Sequence, residues 1–528
     1  MNQQPESILK ATSRYKVGLL GDIILRNASF FPDRVAFIYG DQKITFAEYN
    51  RRVNSLIHAL HDLGIKKGEV LGILSWNCIE YTFPFGAAEK GGFIVAPFNV
   101  RLSEKEIDYL INDSEAALLF VGPEFGDLVE TLRPRIPRVK HFISFEGPLP
   151  GMESLANLLE RYPSKEPDVQ VGDDDPLFIC YTSGTTGQPR GALYTHLGHR
   201  EDVICHALEV PIGYEDRGIS LMPLFHIGGI AILSYLFHQG VTAVIDKFFD
   251  PKATMELIEK ERITNIIVVP THLTAMLDHP DFSKYDLSSL RRIYYAGSPM
   301  PTELLRRGME AFGSVFFQGY GQTESGPEIA FLKEKDHEVL GDPEKEKRLL
   351  SCGYPVVGVH VRIVDNERKD VSPGEVGEII VKSRHIMREY WKKPEETKKT
   401  IVDGWLHTGD LGHYDEAGYI YIVDRKQDMI ISGGENIYPR EVEEVLYKHP
   451  AVSECAVFGV PDPKWVEAVH GVVSLREGAS ATPDGLIEFC KKNMARYKAP
   501  KTIEIVDEIP KSGTGKILKK EMRKKYWR

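Results

Sequence analysis

Short apolar runs alternate with amphipathic stretches through the first two-thirds of the chain, and this alternation restricts the fold more than any other feature. Val70–Leu74, Phe93–Pro97, Ala117–Val121, Val241–Ile245, Ile266–Val269 and Arg292–Tyr295 are strand-like. Phe46–Leu63, Glu104–Asn112 and Thr254–Glu261 lie between them with helical periodicity. Apolar strands separated by helices predict α/β layers with largely parallel sheets. At 528 residues the chain exceeds one ordinary core, so two or more domains are expected. The pattern shifts near residue 360, where Val361–Val364, Glu378–Val381 and Tyr419–Val423 are short β runs divided by Gly and Asp turns. They predict a small β subdomain. After the charged segment Asp424–Asp428 the alternation restarts. Met429–Ser432, Val452–Val460 and Val469–Leu475 read as strands, and Pro439–Lys448 and Pro483–Met494 as helices. The expected organisation is therefore α/β. A large, multi-subdomain N-terminal domain spans 1–426, with layered sheets plus the β subdomain, and a small α+β domain spans 427–528.

Composition removes several function classes. A formal net charge of −11 argues against a general nucleic-acid binder. The basic tail Lys519–Arg528 reads as a solvated last helix. Six scattered cysteines without a C-x-x-C pair suit a reducing compartment. His196 and His199 have no cysteines at zinc-finger spacing. Met1–Lys16 has no apolar signal core, and no apolar run reaches the roughly 20 residues of a spanning helix. A cytoplasmic protein without an integral membrane segment is expected. A homo-oligomer stays open, since no motif encodes the oligomeric state.

Residues 181–191, Tyr-Thr-Ser-Gly-Thr-Thr-Gly-Gln-Pro-Arg-Gly, follow the apolar run Pro176–Cys180. Glycine lets backbone N–H groups crowd around an anion. The hydroxyls of Thr182, Ser183, Thr185 and Thr186 add donors, and Arg190 adds charge. A phosphate-binding loop is the natural reading, with a flexible Ser/Thr/Gly linker as the alternative. The spacing lacks the Lys-Ser/Thr of a P-loop kinase or ATPase. Nor does any G-x-S-x-G point to a serine hydrolase.

Three further motifs carry chemistry. Gln318-Gly-Tyr-Gly-Gln-Thr-Glu324 follows strand-like Val315–Phe317, at a strand's C-terminal end where α/β sheets bind ligands. There Tyr320 offers a flat face to a base, Thr323 a hydroxyl to phosphate, and Glu324 a hard oxygen to Mg²⁺. Gly404-Trp-Leu-His-Thr-Gly-Asp410 places an acid after a turn, suited to a ribose diol, with Arg425 following. Pro510-Lys-Ser-Gly-Thr-Gly-Lys516 presents an ammonium after a Gly-rich turn.

Together, in this order, the four motifs resemble the adenylate-forming superfamily of acyl-CoA synthetases, luciferase-like enzymes and peptide-synthetase adenylation domains. The resemblance spans residues from about 20 to 520 and leans toward the acyl-CoA synthetase branch. It implies an enzyme that joins a carboxylic acid to AMP from ATP, releases pyrophosphate, and passes the acyl group to a thiol, here coenzyme A. It assigns the β/γ-phosphates to Thr182, Ser183, Gly184, Thr185, Thr186, Gly187 and Arg190. It puts Gly297, Ser298 and Pro299 beside the adenine, and Gln318, Gly319, Tyr320 and Gly321 along it. Thr323 then contacts the α-phosphate, Glu324 holds Mg²⁺, and Asp410 and Arg425 bind ribose and phosphate. Lys516 bridges carboxylate and α-phosphate in the first half-reaction.

The resemblance further implies a C-terminal domain that rotates between half-reactions about Gln427, where relatives carry Asp or Lys, and a thiol tunnel lined by Ser432, Gly433, Gly434 and Glu435. Arg190 is a second departure, since Lys is commoner there. Met222–Gly229 is similar to the segment lining the acyl pocket and its entrance. His226 is expected to act in catalysis by gating the pocket or orienting the carboxylate, with a structural histidine as the alternative. Gly228 and Gly229 are expected to leave room for a chain or ring to pass, and Tyr294, Ala296, Met300 and Gln318 to form its walls. Phe225 stands where amino-acid-activating relatives carry an Asp, so an apolar acid is expected. A medium- or long-chain fatty acid comes first, and an aryl or cyclic acid second. Free coenzyme A is expected as acceptor ahead of a carrier protein.

Overall fold

A computed structural model describes residues 19–182, 188–339, 342–432, 435–511 and 517–527. The expected alternation becomes two large sheets. In the nine-stranded sheet six strands run parallel side by side: Val35–Tyr39, Thr242–Ile245, Arg217–Ser220, Asn265–Val268, Arg292–Tyr295 and Phe316–Gln322. Antiparallel Gly326–Leu332 and Tyr354–Pro355 extend one edge, and Gln42–Thr45 the other. The eight-stranded sheet centres on parallel Ile94–Pro97, Val70–Leu74, Ala116–Val121 and His141–Ser144. At its other edge Pro176–Thr182 and Arg190–Thr195 form a hairpin, joined by Glu389–Tyr390.

Burying both faces of both sheets requires three helical layers. Helices Leu20–Phe30, Phe46–Asp62, Thr82–Gly91 and Ile227–His238 fill the space between the sheets, in one core with Phe37 and Phe317 of one sheet and Leu71 and Phe178 of the other. Pro251–Glu261, Pro270–Leu277 and Thr302–Phe312 cover the far face of the first sheet, and Glu104–Ser114 and Gly126–Leu132 that of the second.

Local chemistry sets the helix starts. Thr45 caps Phe46–Asp62 by accepting from the Glu48 N–H at 3.2 Å. Ser103 and Glu106 form a capping box, with the Ser103 N–H donating to Glu106 at 2.9 Å. The helix expected from Thr254 starts at Pro251, because Asp250 caps it at 2.8 Å and proline suits a first helical position.

A five-stranded β subdomain follows, built on His360–Val364, Gly377–Lys382, Trp405–Tyr414 and Ile420–Arg425 with short Ile401–Val402. The next sheet begins at Ile430–Ser432, so the chain passes between bodies over residues 426–429. The last body pairs Val452–Asp462 with Val466–Leu475 and adds Thr502–Val506 in parallel. Its helices Pro439–Tyr447 and Pro483–Asn493 cover one face. The basic tail is less solvated than expected. Lys519 pairs with Glu443 at 2.7 Å and Arg523 with Glu467 at 3.2 Å.

No helix among the described residues is long and apolar enough to cross a membrane. All six cysteines are buried and unpaired.

Candidate active site

The site forms where Phe316–Gln322 ends. That strand turns through Thr323–Ser325 and returns as Gly326–Leu332. Gly321 permits the hairpin, since a Cβ there would lie 2.3 Å from the Pro327 carbonyl oxygen. Tyr194, from the strand after the phosphate loop, locks the turn. Its hydroxyl donates to the Thr323 carbonyl and accepts from the Gly326 N–H at 2.9 Å. The first two motifs are thus joined by a buried tyrosine.

Thr182 and Arg190 face each other across the hairpin that bounds the phosphate loop, and the Thr182 hydroxyl donates to the Arg190 carbonyl at 3.4 Å. Ser183, Gly184, Thr185, Thr186 and Gly187 lie outside the described residues. The Arg190 guanidinium sits 4.3 Å from the Tyr390 ring centroid, a cation–π contact. Its Nε is buried with no partner, and its Nη1 lies 3.6 Å from Glu396. Tyr390 in turn donates to Glu324 Oε1 at 2.8 Å. Burial, and then the Glu324 charge, raise the Tyr390 phenol well above its ordinary value, so it stays a donor. Glu324, Tyr390 and Arg190 form one chain of contacts.

On the other side stands Asp410. Its Oδ1 pairs with Arg425 Nε at 2.6 Å and its Oδ2 accepts from the Tyr320 hydroxyl at 2.7 Å. The sequence reading places Asp410 after a turn. It lies instead inside the ten-residue strand Trp405–Tyr414, directly opposite Arg425. Gly409, at φ 71°, marks an irregularity in the strand that re-aims the acid, as bulges do. Burial disfavours the Arg425 charge, but Asp410 and then Tyr320 outweigh it, and the guanidinium pKa is raised. Gly297, at φ 83°, Ser298 and Pro299 form the loop beyond Arg292–Tyr295, the neighbouring strand, with Gly297 and Pro299 exposed.

The structure brings together some of the residues expected to wall an acid pocket and separates others. His226 caps helix Ile227–His238, its Nδ1 accepting from the Gly228 N–H at 3.2 Å. Gly228, Tyr294 and Ala296 are half-buried. Gly319 makes room for Tyr294, whose hydroxyl lies 1.7 Å from where a Cβ would stand. Gly229 is no passage for a ligand: its Cβ would meet the Pro223 carbonyl at 2.3 Å, so it serves close packing. Met300 packs with Tyr295, Leu304 and Leu305 in the core on the opposite face. Gln318 also turns that way, within 3.4 Å of the Tyr295 hydroxyl. Successive strand residues point to opposite faces, so the partners of Tyr295 cannot share the cleft of Tyr294.

In the last body Ser432 and Glu435 face each other across a hairpin, and Glu435 is exposed. Gly433, Gly434 and Lys516 lie outside the described residues. The Gln427 carbonyl accepts from Arg523 at 3.4 Å. Among the described residues no cluster of three or more His, Cys, Asp or Glu could hold a metal. Glu324, held by Tyr390, is a hard oxygen donor of the kind Mg²⁺ takes, and Mg²⁺ commonly uses one carboxylate together with substrate phosphates.

Residues 24–391 match the AMP-binding enzyme family, and residues 441–516 match the AMP-binding enzyme C-terminal domain. The chain belongs to the AMP-binding enzyme family. A feruloyl-CoA synthase from Amycolatopsis sp is 36% identical over 96% of this chain and 99% of its own length. A long-chain-fatty-acid–CoA ligase of Mycobacterium tuberculosis is 33% identical over 96% and 98%. The anthranilate CoA ligase AuaEII, solved in complex with anthranoyl-AMP, superposes with a TM-score of 0.89 at 29% identity, covering 98% of each chain. This AMP-binding enzyme thus has the fold of adenylate-forming enzymes over 98% of its chain.

Proposed function

We propose that this enzyme activates a carboxylic acid as acyl-AMP and transfers the acyl group to coenzyme A. The observation that carries the reading is the convergence of two partnered carboxylates, Glu324 and Asp410, on the end of strand Phe316–Gln322. In the first step a carboxylate oxygen attacks the α-phosphorus of ATP and pyrophosphate leaves. A carboxylate is already ionised at neutral pH, so no general base is needed. The difficulty is that an anion attacks a polyanion, and preorganised positive charge eases it. In the second step the thiolate of coenzyme A attacks the acyl carbon, and AMP leaves with the former carboxylate oxygen.

Residue roles follow from this chemistry. Residues 182–187 and Arg190 receive the departing phosphates, and Thr323 meets the α-phosphate. Asp410, with both oxygens already engaged, still has lone pairs for ribose hydroxyls. Gly297–Pro299, Tyr320 and the edge formed by Gly319 and Gly321 border the base. Glu324 would hold Mg²⁺, which supplies positive charge to the phosphates. Lys516 serves adenylation. Gln427 absorbs the rotation that exchanges Lys516 for the Ser432–Glu435 loop, because a hinge needs backbone freedom and no particular side chain.

For the acid we propose an aryl acid of modest length ahead of a long fatty chain. Helix Ile227–His238 carries buried Tyr235 on the same face as the half-buried Gly228 and Ile232, so an acid lying along that face would end on a polar floor. A long saturated chain gains nothing there and would strand polar groups. Resemblance to feruloyl-CoA synthase and to the anthranilate ligase supports the same choice. Pyrophosphate release from Mg-ATP across alkyl and aryl acids, with and without coenzyme A, tests the reading. Acid-dependent AMP and pyrophosphate, stimulated by coenzyme A, are expected. Dependence on an acyl-carrier protein instead would move the acceptor, and ADP as product would overturn the reading.

A further inference from the structure

Beneath the acid cleft lies a buried polar cluster that the adenylation chemistry leaves unused. Helix His196–Glu209 contributes Asp202 and His206, helix Ile227–His238 contributes Tyr235, and strand Gly326–Leu332 contributes Glu328. Each is at most 2% exposed. The Tyr235 hydroxyl donates to Asp202 Oδ2 at 2.8 Å. Its ring stacks on His206 with centroids 3.8 Å apart. His206 Nδ1 shares a hydrogen bond with Glu328 Oε1 at 2.5 Å. The second oxygens, Glu328 Oε2 and Asp202 Oδ1, are buried with no partner. Among the described residues neither carboxyl pairs with Lys or Arg; the basic groups beside them are His206 and His199, whose imidazoles burial pushes down to about 3, so both are neutral. A buried polar atom left unpaired costs about 1–3 kcal/mol, so each of these oxygens has the capacity for one more hydrogen bond, from an ordered water or a ligand.

The geometry ties this cluster to the cleft. Gly228, Ile232 and Tyr235 are spaced i, i+4, i+7 and share one helix face. Gly228 and Ile232 are half-buried, as is Ser234, while the other residues of the helix are buried. Ile232 packs beside Tyr294 against Met222, Ile267 and Val269. The Tyr294 ring centroid is 6.4 Å from that of His206, and its hydroxyl reaches Gly319 of the nucleotide motif. From Gly228 to Tyr235 the helix rises about 10 Å.

We infer that Glu328 and Asp202 read the far end of the acid, and that this acid carries a hydroxyl group about 10 Å from its carboxylate. A hydroxyl both donates and accepts, so it satisfies a carboxyl in either protonation state. Hydrogen or methyl at that position leaves both open oxygens unpaired. The inference deepens the acid-ligase reading and rests on it.

The test uses the full-length enzyme with 3-phenylpropenoic acid and its 4-hydroxy and 4-methyl derivatives, scored by pyrophosphate release. We expect kcat/KM for the hydroxy acid to exceed the other two by about 10-fold or more. Glu328→Leu should reduce that preference to within about 2-fold, because the open acceptor is gone. Asp202→Asn, which keeps an acceptor for Tyr235, should reduce it in the same direction. The ratio within one variant does not depend on how much of it is folded. Stabilisation of the wild type by the hydroxylated and unsubstituted acyl-sulfamoyl adenosines gives the same comparison without any variant. Equal wild-type use of all three acids, or a preference untouched in both variants, overturns the inference and leaves the ligase reading intact. Pyrophosphate with none of these or any other acid overturns that reading, and the inference with it.

Discussion

Two buried carboxylate clusters flank the hairpin whose turn carries Glu324, and they are completed differently. Asp410 is closed by the chain: Arg425 holds one oxygen at 2.6 Å and Tyr320 the other at 2.7 Å. Asp202 and Glu328 have no such closure, and each keeps an oxygen open. Burial pushes both of these carboxyls well above the usual carboxylate range, with like charge from Glu328 adding to the rise at Asp202 and from Glu209 at Glu328. The first cluster is a scaffold finished before any ligand arrives, as a site for a constant cosubstrate needs to be. The second is unfinished, which suits a specificity floor. A closed cluster contributes rigidity; an open one stores an unmet hydrogen bond that the correct ligand supplies.

Four experiments break or sharpen this contrast. The largest effect belongs to the charges at the reacting phosphate. Glu324→Gln and Lys516→Ala should each lower the adenylation rate by roughly 10²–10³ in single-turnover assays. Lys516→Ala should still convert preformed acyl-AMP to thioester near the wild-type rate, and equal loss of both halves contradicts its assignment. Next come opposite signs for the two clusters. Asp410→Ala removes the partner of Arg425 and should destabilise by about 1–3 kcal/mol, discounted because the Arg425 side chain is 36% exposed. The double variant Glu328→Leu/His206→Leu exchanges both members of a buried hydrogen-bonded pair for apolar volume and should be neutral or stabilising. Urea unfolding measures both, and the same sign for both removes the distinction.

Gly319→Ala comes third. Its Cβ would fall 1.7 Å from the Tyr294 hydroxyl, and such overpacking costs about 1–3 kcal/mol. Stability and acid turnover should fall together, and unchanged turnover would remove Tyr294 from the cleft wall. The smallest effect is expected from Tyr390→Phe, which takes one donor from Glu324. A roughly 10-fold loss in kcat/KM for Mg-ATP corresponds to one hydrogen bond to a charged group. An effect confined to the acid's KM speaks against this role.

Much of the fold was legible because buried parallel strands read as plain apolar runs. Val70–Leu74 and Arg292–Tyr295 coincide with the observed strands residue for residue. The site was legible where chemistry and spacing coincide, as in Gln318–Glu324. What escaped depended on which way side chains face. Tyr294 and Tyr295 are adjacent but serve opposite faces, and Met300 and Gln318 follow Tyr295. Asp410 read as a turn residue because Gly404 and Gly409 suggest one, yet the chain uses Gly409 as an irregularity inside a strand. Tyr194 and Tyr390, which join the motifs, are ordinary aromatic residues in sequence. Asp202 and His206, four apart on a helix, belong to no motif in the sequence. Only the packing of helix Ile227–His238 and strand Gly326–Leu332 against their face turns it inward.

The most direct test of the central claim follows an oxygen atom. The acid is labelled with ¹⁸O in its carboxylate, and AMP is analysed by mass spectrometry after one turnover with Mg-ATP and coenzyme A. Attack of the carboxylate on the α-phosphorus, followed by thiol attack on the acyl carbon, leaves one labelled oxygen in AMP. Unlabelled AMP, or label appearing in inorganic phosphate alongside ADP, would contradict an acyl-adenylate mechanism.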